Sequence, residues 1–337
     1  MAVPENWLYP TPRGLYCAPG DFYVDPHRPV ARAVVTHGHS DHARGGHEAV
    51  LATQPTINIM RIRMGDGAAA CFQELSYGEA LRIGEVDVSL HPAGHILGSA
   101  QIAISYRGYR AVVSGDYKRE ADPTCAAFEL QRCDLFVTEA TFGLPVFRHE
   151  PMGREIDRLV TSAGRFPERT HLVGAYGLGK CQRVIRGLRD AGYTKPVWLH
   201  GAMRKLCAFY ENSGVELGEL RPVMDASPDQ EKLAGEIVMC PPSALADKWS
   251  RRFAEPLTAF ASGWMRVRGR ARQRGVELPL VISDHADWPG LVKTISETGA
   301  AEVWVTHGRE AALVRQLDLM GIRGRALALV GREEEGE

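Results

Sequence analysis

Thr36-His37-Gly38-His39-Ser40-Asp41-His42 sets three imidazoles and a carboxylate within a few positions of one another, directly after the apolar run Ala33-Val34-Val35. Imidazole nitrogen and carboxylate oxygen are donors for a divalent cation, and clustered donors at a strand end point to a metal site. At an extended strand end His37 and His39 project to the same side. Asp41 and His42 then fall on the turn that follows and can face a second ion, so the spacing suits two adjacent metals. A histidine-rich surface turn without a ligand is the alternative; the preceding strand and the small spacers Gly38 and Ser40 weigh against it.

Further chemistry-bearing residues recur at the ends of apolar runs. Asp25 follows Phe22-Tyr23-Val24 and precedes Pro26, where a turn-forming role competes with a functional one. His91-Pro92-Ala93-Gly94-His95 offers two histidines for one role. Ser114-Gly115-Asp116 closes the run Tyr109–Val113, Glu139 follows Leu135-Phe136-Val137-Thr138, and His285 and His307 each end an apolar segment. Tyr176-Gly177-Leu178-Gly179-Lys180 invites a phosphate-loop reading, which fails because Cys181 stands where Ser or Thr is required. Arg266, Arg268, Arg270, Arg272 and Arg274 occupy every second position. If extended they share one face at about 6.6–6.8 Å spacing, suited to a phosphate backbone; if helical they scatter around the axis.

The H-x-H-x-D-H string from His37 to His42 resembles the signature of metallo-β-lactamase-fold hydrolases. His91 to Gln101, read as H-P-A-G-H-I-L-G-S-A-Q, resembles the third motif of their nucleic-acid-processing branch, the β-CASP nucleases, in which the second histidine binds metal. That resemblance selects His95 and implies further roles. Asp25 matches an acidic residue that orients ligand histidines, Asp116 a bridging carboxylate, and Glu139 the acidic motif that partners a catalytic histidine. His285 matches a proton donor and His307 a metal ligand. Gly179, Lys180 and Gln182 resemble a cap element, and with the arginine series they are candidate nucleic-acid contacts. Gly263-Trp264 is similar to a dipeptide of DNA crosslink-repair nucleases. The likeness runs from Asp25 to His307 and is strongest toward bacterial ligase-associated DNA exonucleases.

The implied ligand sets are His37, His39, His95 and Asp116 for one ion, and Asp41, His42, His307 and Asp116 for the other. A nitrogen and oxygen set without cysteine favours Zn2+, with Mn2+ or Fe2+ as alternatives. Two divalent ions less Asp41, Asp116 and a bridging hydroxide leave about one positive charge, which favours an anionic phosphodiester. The expected reaction is two-metal phosphodiester hydrolysis, with a metal-bridging hydroxide attacking phosphorus and His285 as general acid, oriented by Glu139 or Asp287. Asp41, Glu139 and His285 are thus the catalytic candidates. The substrate expected is DNA, single-stranded or bearing an end, degraded as an exonuclease in repair with a functional link to a DNA ligase and a helicase. RNA 3'-end processing by an endo- or exonuclease of the same family is the alternative, and a thioester or lactam hydrolase or a non-catalytic scaffold stands behind it.

These residues need strands to carry them. The chain has 337 residues, 45% hydrophobic and 24% charged, which suits a soluble enzyme of two domains or one domain with an insertion. Forty basic against 41 acidic residues exclude a globally basic surface, so nucleic acid must be met by a local patch. The seven cysteines (17, 71, 125, 133, 181, 207 and 240) have no C-x-x-C spacing and are expected to be reduced and mostly buried. With no signal-like leader and no long apolar span, a cytoplasmic protein without membrane association is expected.

Short strands lead up to Asp25, and a short helix over Pro55–Met64 buries Ile57, Ile59, Met60 and Ile62. From about residue 152 the pattern turns to helix, strand and helix, including a helix over Gly179–Ala191. The resemblance implies an α/β fold: a metallo-β-lactamase αβ/βα four-layer sandwich with an inserted β-CASP α/β cap. The sandwich would span residues 1–150 and 276–337, the cap would span 151–275, and the cleft would lie between the two. The polar tail from Arg332 to Glu337 is expected to fray.

Overall fold

The computed structural model describes residues 4–223 and 233–327, and the tail from Arg332 to Glu337 lies outside them. Among the described residues it is a mixed α/β protein with three sheets, dividing into one unit of Met1–Phe147 with His285–Glu337 and a second of Arg148–Asp284.

The first unit holds two sheets. One runs in the order β1 (Leu8–Thr11), β2 (Gly14–Cys17), β3 (Phe22–Val24), β4 (Arg32–Val34), β5 (His47–Ala52), β6 (Ala69–Glu74) and is parallel from β3 onward. The other contains β7 (Ala80–Ile83), β8 (Val86–Pro92), β9 (Ala100–Tyr106), β10 (Tyr109–Val113) and β11 (Leu135–Ala140), followed in the chain by β18 (Glu302–Gly308) and β19 (Arg323–Ala326). Its spatial order is β19-β18-β11-β10-β9-β8-β7. β8 and β10 both run antiparallel to β9, and β10, β11, β18 and β19 are mutually parallel, so β8, β10, β11 and β18 point the same way.

Period-two alternation sorts these strands between separate cores. Leu8, Leu15, Phe22, Val24, Val34 and Leu51 of the first sheet join Val88, Ile102, Ala111, Val113, Val137 and Trp304 of the second in one cluster. The alternate residues Ala103, Val112, Phe136, Val303 and Val305 instead pack with Leu291 and Ile295 of α6 (Trp288–Thr298) and Leu313 and Leu317 of α7 (Glu310–Met320). On the first sheet Ala33, Val35, Val50 and Ala52 pack with Ile57 and Met60 of α1 (Gln54–Met64). Thr53 caps α1 and Pro55 stands in its first turn, which fixes the start that sequence placed one residue later.

The second unit is a parallel sheet in the order β14 (Leu220–Pro222), β13 (Val197–Leu199), β15 (Ile237–Cys240), β12 (His171–Gly174), β16 (Leu257–Ala261), β17 (Leu278–Leu280). Its helices are α2 (Met152–Arg165), α3 (Lys180–Asp190), α4 (Arg204–Asn212) and α5 (Arg268–Arg274). β12 and β15 are buried at every position, as two-sided burial of a parallel sheet requires. β17 pairs with β16, so the chain stays in this sheet through Leu280, beyond the return near 276 expected from sequence. No disulfide forms among the cysteines; four are buried, Cys125 and Cys133 are half-buried, and Cys71 is exposed. Among the described residues no helix is long and apolar enough to cross a membrane.

Candidate metal centre

The site lies in the first unit, at carboxyl ends of strands, where loop residues can converge without disturbing the ladder. His37, His39, Asp41 and His42 follow β4; His95 follows β8, Asp116 follows β10, Glu139 sits near the end of β11 and His307 near the end of β18. The parallel sense of β8, β10, β11 and β18 brings four of these loop and strand ends to one edge of their sheet. Gly115 adopts φ 55°, and a Cβ there would stand 2.7 Å from Cβ of Thr36, so the turn delivering Asp116 needs glycine. Gly308 is at φ 105°, and its Cβ would lie 2.3 Å from the Ala140 carbonyl oxygen. His307 before it is itself left-handed at φ 61°, strain of a kind that persists where the surroundings over-determine the backbone.

His37, His39, His95 and Asp116 each offer a ligand atom within 4.8 Å of the others, as do Asp41, His42 and His307. Asp116 links the two groups: its Oδ2 lies 3.4 Å from Nε2 of both His37 and His42, and 3.8 Å from Nε2 of His95. Nδ1 of His39 is 3.0 Å from Nε2 of His95. In the second group Asp41 Oδ2 is 3.3 Å from His42 Nε2 and 3.7 Å from His307 Nε2. Of the two competing histidines, His91 contacts Ser89 and Glu129, while His95 lies in the cluster. Ser99 Oγ accepts from the amides of His95 and Ile96 and shapes that loop.

Asp25 lies behind the cluster, fully buried and at φ 43°. Its carboxylate accepts from the amide and hydroxyl of Thr36, each at 2.7 Å, and meets His42 Nδ1 at 2.7 Å, which turns His42 Nε2 toward Asp41 and Asp116. Thr36, absent from the sequence candidates, also contacts Nδ1 of His37. A second such residue is Arg63 of α1, which donates to the Gly38 carbonyl at 2.5 Å and holds the histidine loop. A threonine at the strand end was the available signal for Thr36; Arg63 gave none.

His285 belongs to neither of these two groups, but it offers a ring nitrogen within 4.8 Å of carboxylate oxygens of Asp116 and Glu139. Its Nδ1 is 2.9 Å from Glu139 Oε2, and Glu139 Oε1 accepts from the Tyr117 amide, so the carboxylate is fixed from both sides. Asp287, the other candidate orienter, caps α6 by accepting from the Gly290 amide.

Burial and charge set the protonation of the cluster. Burial, the strongest influence on His42, opposes its charge, yet Asp116, Asp41 and Asp25 outweigh it and hold the imidazole well above its usual range. His37 is driven well below that range by burial and then by His42. Asp116 and Asp41 stay far below the usual carboxylate range because His42 and, for Asp116, His285 overcome the burial that would raise them. His37 Nε2, His42 Nε2 and Asp116 Oδ1 are buried without a hydrogen-bond partner among the described residues. Buried polar atoms are ordinarily satisfied, and converging nitrogen and oxygen donors of this kind fit a divalent cation.

The candidate nucleic-acid contacts fare differently in the second unit. Lys180 is buried, its Nζ 2.7 Å from Asp284 Oδ1. Gln182 is also buried and serves its own helix: Oε1 accepts from the Gly179 amide and Nε2 donates to the Gly177 carbonyl. Both side chains are thus engaged within the second unit. For the arginine series the helical alternative is the one observed. Arg266 ends a short 3-10 helix and the other four lie in α5, so no single extended face forms. Arg270 stacks on Trp264 at 3.8 Å and Arg274 lies over Phe260 at 5.3 Å, whereas Arg268 and Arg272, four residues apart, share another, exposed face.

No family model matches the chain. It is 28% identical over 329 residues to a probable DNA ligase of Opitutus terrae, a match covering 95% of this chain and 31% of that protein. An endoribonuclease YSH1 of Kluyveromyces lactis is 30% identical over 122 residues, 34% of this chain and 15% of the relative. The cleavage and polyadenylation specificity factor subunit 3 of Dictyostelium discoideum is 25% identical over 145 residues, 40% of this chain and 18% of the relative. The chain therefore spans less than a third of the length of each of these relatives. A crystal structure of a protein of unknown function from Enterococcus faecalis shares the fold, with a TM-score of 0.58 at 15% identity, covering 90% of this chain and 80% of that one. The motifs in their order along the chain, taken with these sequence relatives, identify the chain as a relative of the metallo-β-lactamase-fold β-CASP nucleases.

Proposed function

We propose that the protein is a metal-dependent nuclease that hydrolyses phosphodiester bonds of DNA from an end, in repair. The observation that carries this reading is the pairing of two His/Asp donor groups through Asp116 with a histidine, His285, held by Glu139 outside both. In this reading the first unit is the metallo-β-lactamase domain. Its clusters, α1 against one sheet and α6 and α7 against the other, support a four-layer αβ/βα sandwich. The second unit is then the β-CASP cap.

His37, His39, His95 and Asp116 would hold one divalent ion, and Asp41, His42, His307 and Asp116 the other, with Zn2+ preferred by an imidazole-rich set and Mn2+ or Fe2+ as alternatives. When bound, such ions lower the pKa of water and stabilise negative charge on phosphoryl oxygens. The chain's own residues do the rest. Asp25 and Thr36 fix the direction of His42. Glu139 accepts the Nδ1 proton of His285, leaving Nε2 as the position from which a proton passes to the leaving oxygen. Because the Tyr117 amide holds the other Glu139 oxygen, the donor is oriented before substrate arrives.

The similarity to a probable DNA ligase over 95% of this chain favours DNA and a functional link to ligation. The endoribonuclease relatives favour RNA as the second reading. End-labelled linear and covalently closed DNA and RNA of one sequence, single- and double-stranded, incubated with metal-loaded protein, separate them. Release of mononucleotides from linear DNA, abolished by chelator and absent on circles, is the result expected. Cleavage confined to RNA, or rapid cutting of circular single strands, overturns the exonuclease reading.

A further inference from the structure

His285 is preceded by a short irregular segment. β17 ends at Leu280, and residues 281–284 belong to no strand or helix. The segment is nevertheless buried at Ile282, Ser283 and Asp284, so its polar groups must be met by something other than a ladder or bulk water.

Charged side chains meet them. Glu155 of α2 accepts from the Val281 amide at 3.2 Å. Arg183 of α3 donates to the Ser283 carbonyl at 3.0 Å, and Lys180, one turn earlier on the same helix, pairs with Asp284 at 2.7 Å. All three are buried, Lys180 and Arg183 at 3% and 2% exposure. Burying charge is costly unless each group is paired in good geometry, and breaking one pair strands the other charge. Three such groups spent on four consecutive residues is more than is needed to attach a surface loop. The residue that follows them is the proton donor of the proposed reaction.

We propose that Lys180 and Arg183, supported by Glu155, are positioning residues that fix the Val281–Asp284 segment and through it set where His285 presents Nε2. The inference rests on the general-acid reading of His285. Proton donation requires hydrogen-bond reach to the leaving oxygen, and a displacement of about 1 Å in a reacting group can lower turnover by about 100-fold. Lys180 would thus act through His285 without touching substrate.

The test is turnover of metal-loaded Lys180→Met on an oligonucleotide and on a p-nitrophenyl phosphodiester, whose leaving group needs no proton. The expected result is a kcat on the oligonucleotide about 10- to 100-fold lower with KM little changed, and a much smaller loss on the activated ester. Metal stoichiometry should be unchanged, and so should the salt dependence of DNA binding, since this lysine meets no phosphate. Lys180→Arg should restore most of the rate. To guard against misfolding from an unpaired Asp284, the paired variant Lys180→Met/Asp284→Asn removes both charges and should show the same selective loss.

In a His285→Ala background, Lys180→Met should add little further loss, because residues acting as a unit are non-additive. Equal losses on both substrates, a loss that adds fully to that of His285→Ala, or wild-type turnover in the paired variant overturns the positioning role. A His285→Ala defect that is itself equal on both substrates overturns the general-acid reading, and the positioning role falls with it.

Discussion

Asp25 Oδ2 and His42 Nδ1 lie 2.7 Å apart inside the protein, and the same carboxylate holds Thr36 by its amide and hydroxyl. One buried acid therefore fixes both the backbone at the end of β4 and the ring that faces Asp41 and Asp116. Removing such an outer partner of a ligand histidine typically lowers metal affinity by about 10- to 100-fold. Asp25→Ala should show that loss in a competitive zinc titration, and elemental analysis should find the deficit at one ion per chain. Unchanged affinity would reduce Asp25 to a turn-forming residue.

The same neighbours make the metal-free protein sensitive to pH in a way that metal should reverse. His42 is held well above the usual imidazole value of 6.5. Its proton then contributes stability that is fully present below about pH 6.5 and is lost as pH rises through the raised folded value. His37 is shifted the other way by burial, so its contribution is lost as pH falls below about 6.5. The two carboxylates, both shifted down, do not titrate in this window. Chelator-treated protein should therefore be most stable near pH 6.5. Added Zn2+ should raise the unfolding temperature more at pH 8 than at pH 6, because binding must displace the His42 proton. Melting curves over pH 5–9 (roughly the imidazole range) with and without metal check this, and His42→Asn should flatten the alkaline limb of the metal-free curve.

α5 divides its arginines into two pairs with different surroundings. Arg270 and Arg274 lie over Trp264 and Phe260, where loss of a cation on a ring costs about 0.5–2 kcal/mol of local stability. Arg268 and Arg272 are exposed on another face. If that face meets a phosphate backbone, Arg268→Ala/Arg272→Ala should lower the log–log slope of DNA affinity against salt by about 0.7–0.9 per lost contact. Arg270→Ala/Arg274→Ala should lower the melting temperature with less effect on slope. A slope unmoved by Arg268→Ala/Arg272→Ala assigns that face to solvent.

The donors of the centre were legible because each sits in a short polar string directly after an apolar run. Such strings survive in sequence wherever a strand end must present a side chain. The choice of His95 over His91 came from resemblance, and the structure gives its local reason in the Ser99 hydroxyl that shapes the loop. The burial of Lys180 is not legible in sequence, because a basic residue at a helix start looks solvent-facing and its partner Asp284 lies far away in the chain. The conformation of the arginine series was open for another reason. Every second position fits a strand, but nothing in the arginines forces extension, and packing on Trp264 and Phe260 favours the helix. The extent of the second unit was hidden because the apolar run at Leu278–Leu280 does not say which sheet it joins.

His285 and His307 look alike in sequence but occupy different surroundings. His307 lies 3.7 Å from Asp41 within a donor group and holds a left-handed backbone, while His285 is bound through Nδ1 to Glu139. His307→Ala should lose occupancy of one ion and slow every substrate alike, since the deficit lies in the centre itself. His285→Ala should retain both ions and slow oligonucleotide turnover by about 100- to 10,000-fold. Glu139→Gln should fall between, because the amide can still accept from the Tyr117 amide but no longer offers a charge to the imidazolium. Replacing the sugar leaving group with p-nitrophenolate should rescue His285→Ala and Glu139→Gln and leave His307→Ala unrelieved. Metal analysis of all three proteins, paired with rates on both substrates, distinguishes the roles. Loss of an ion from His285→Ala would move that histidine into the metal shell and leave the leaving oxygen without a donor.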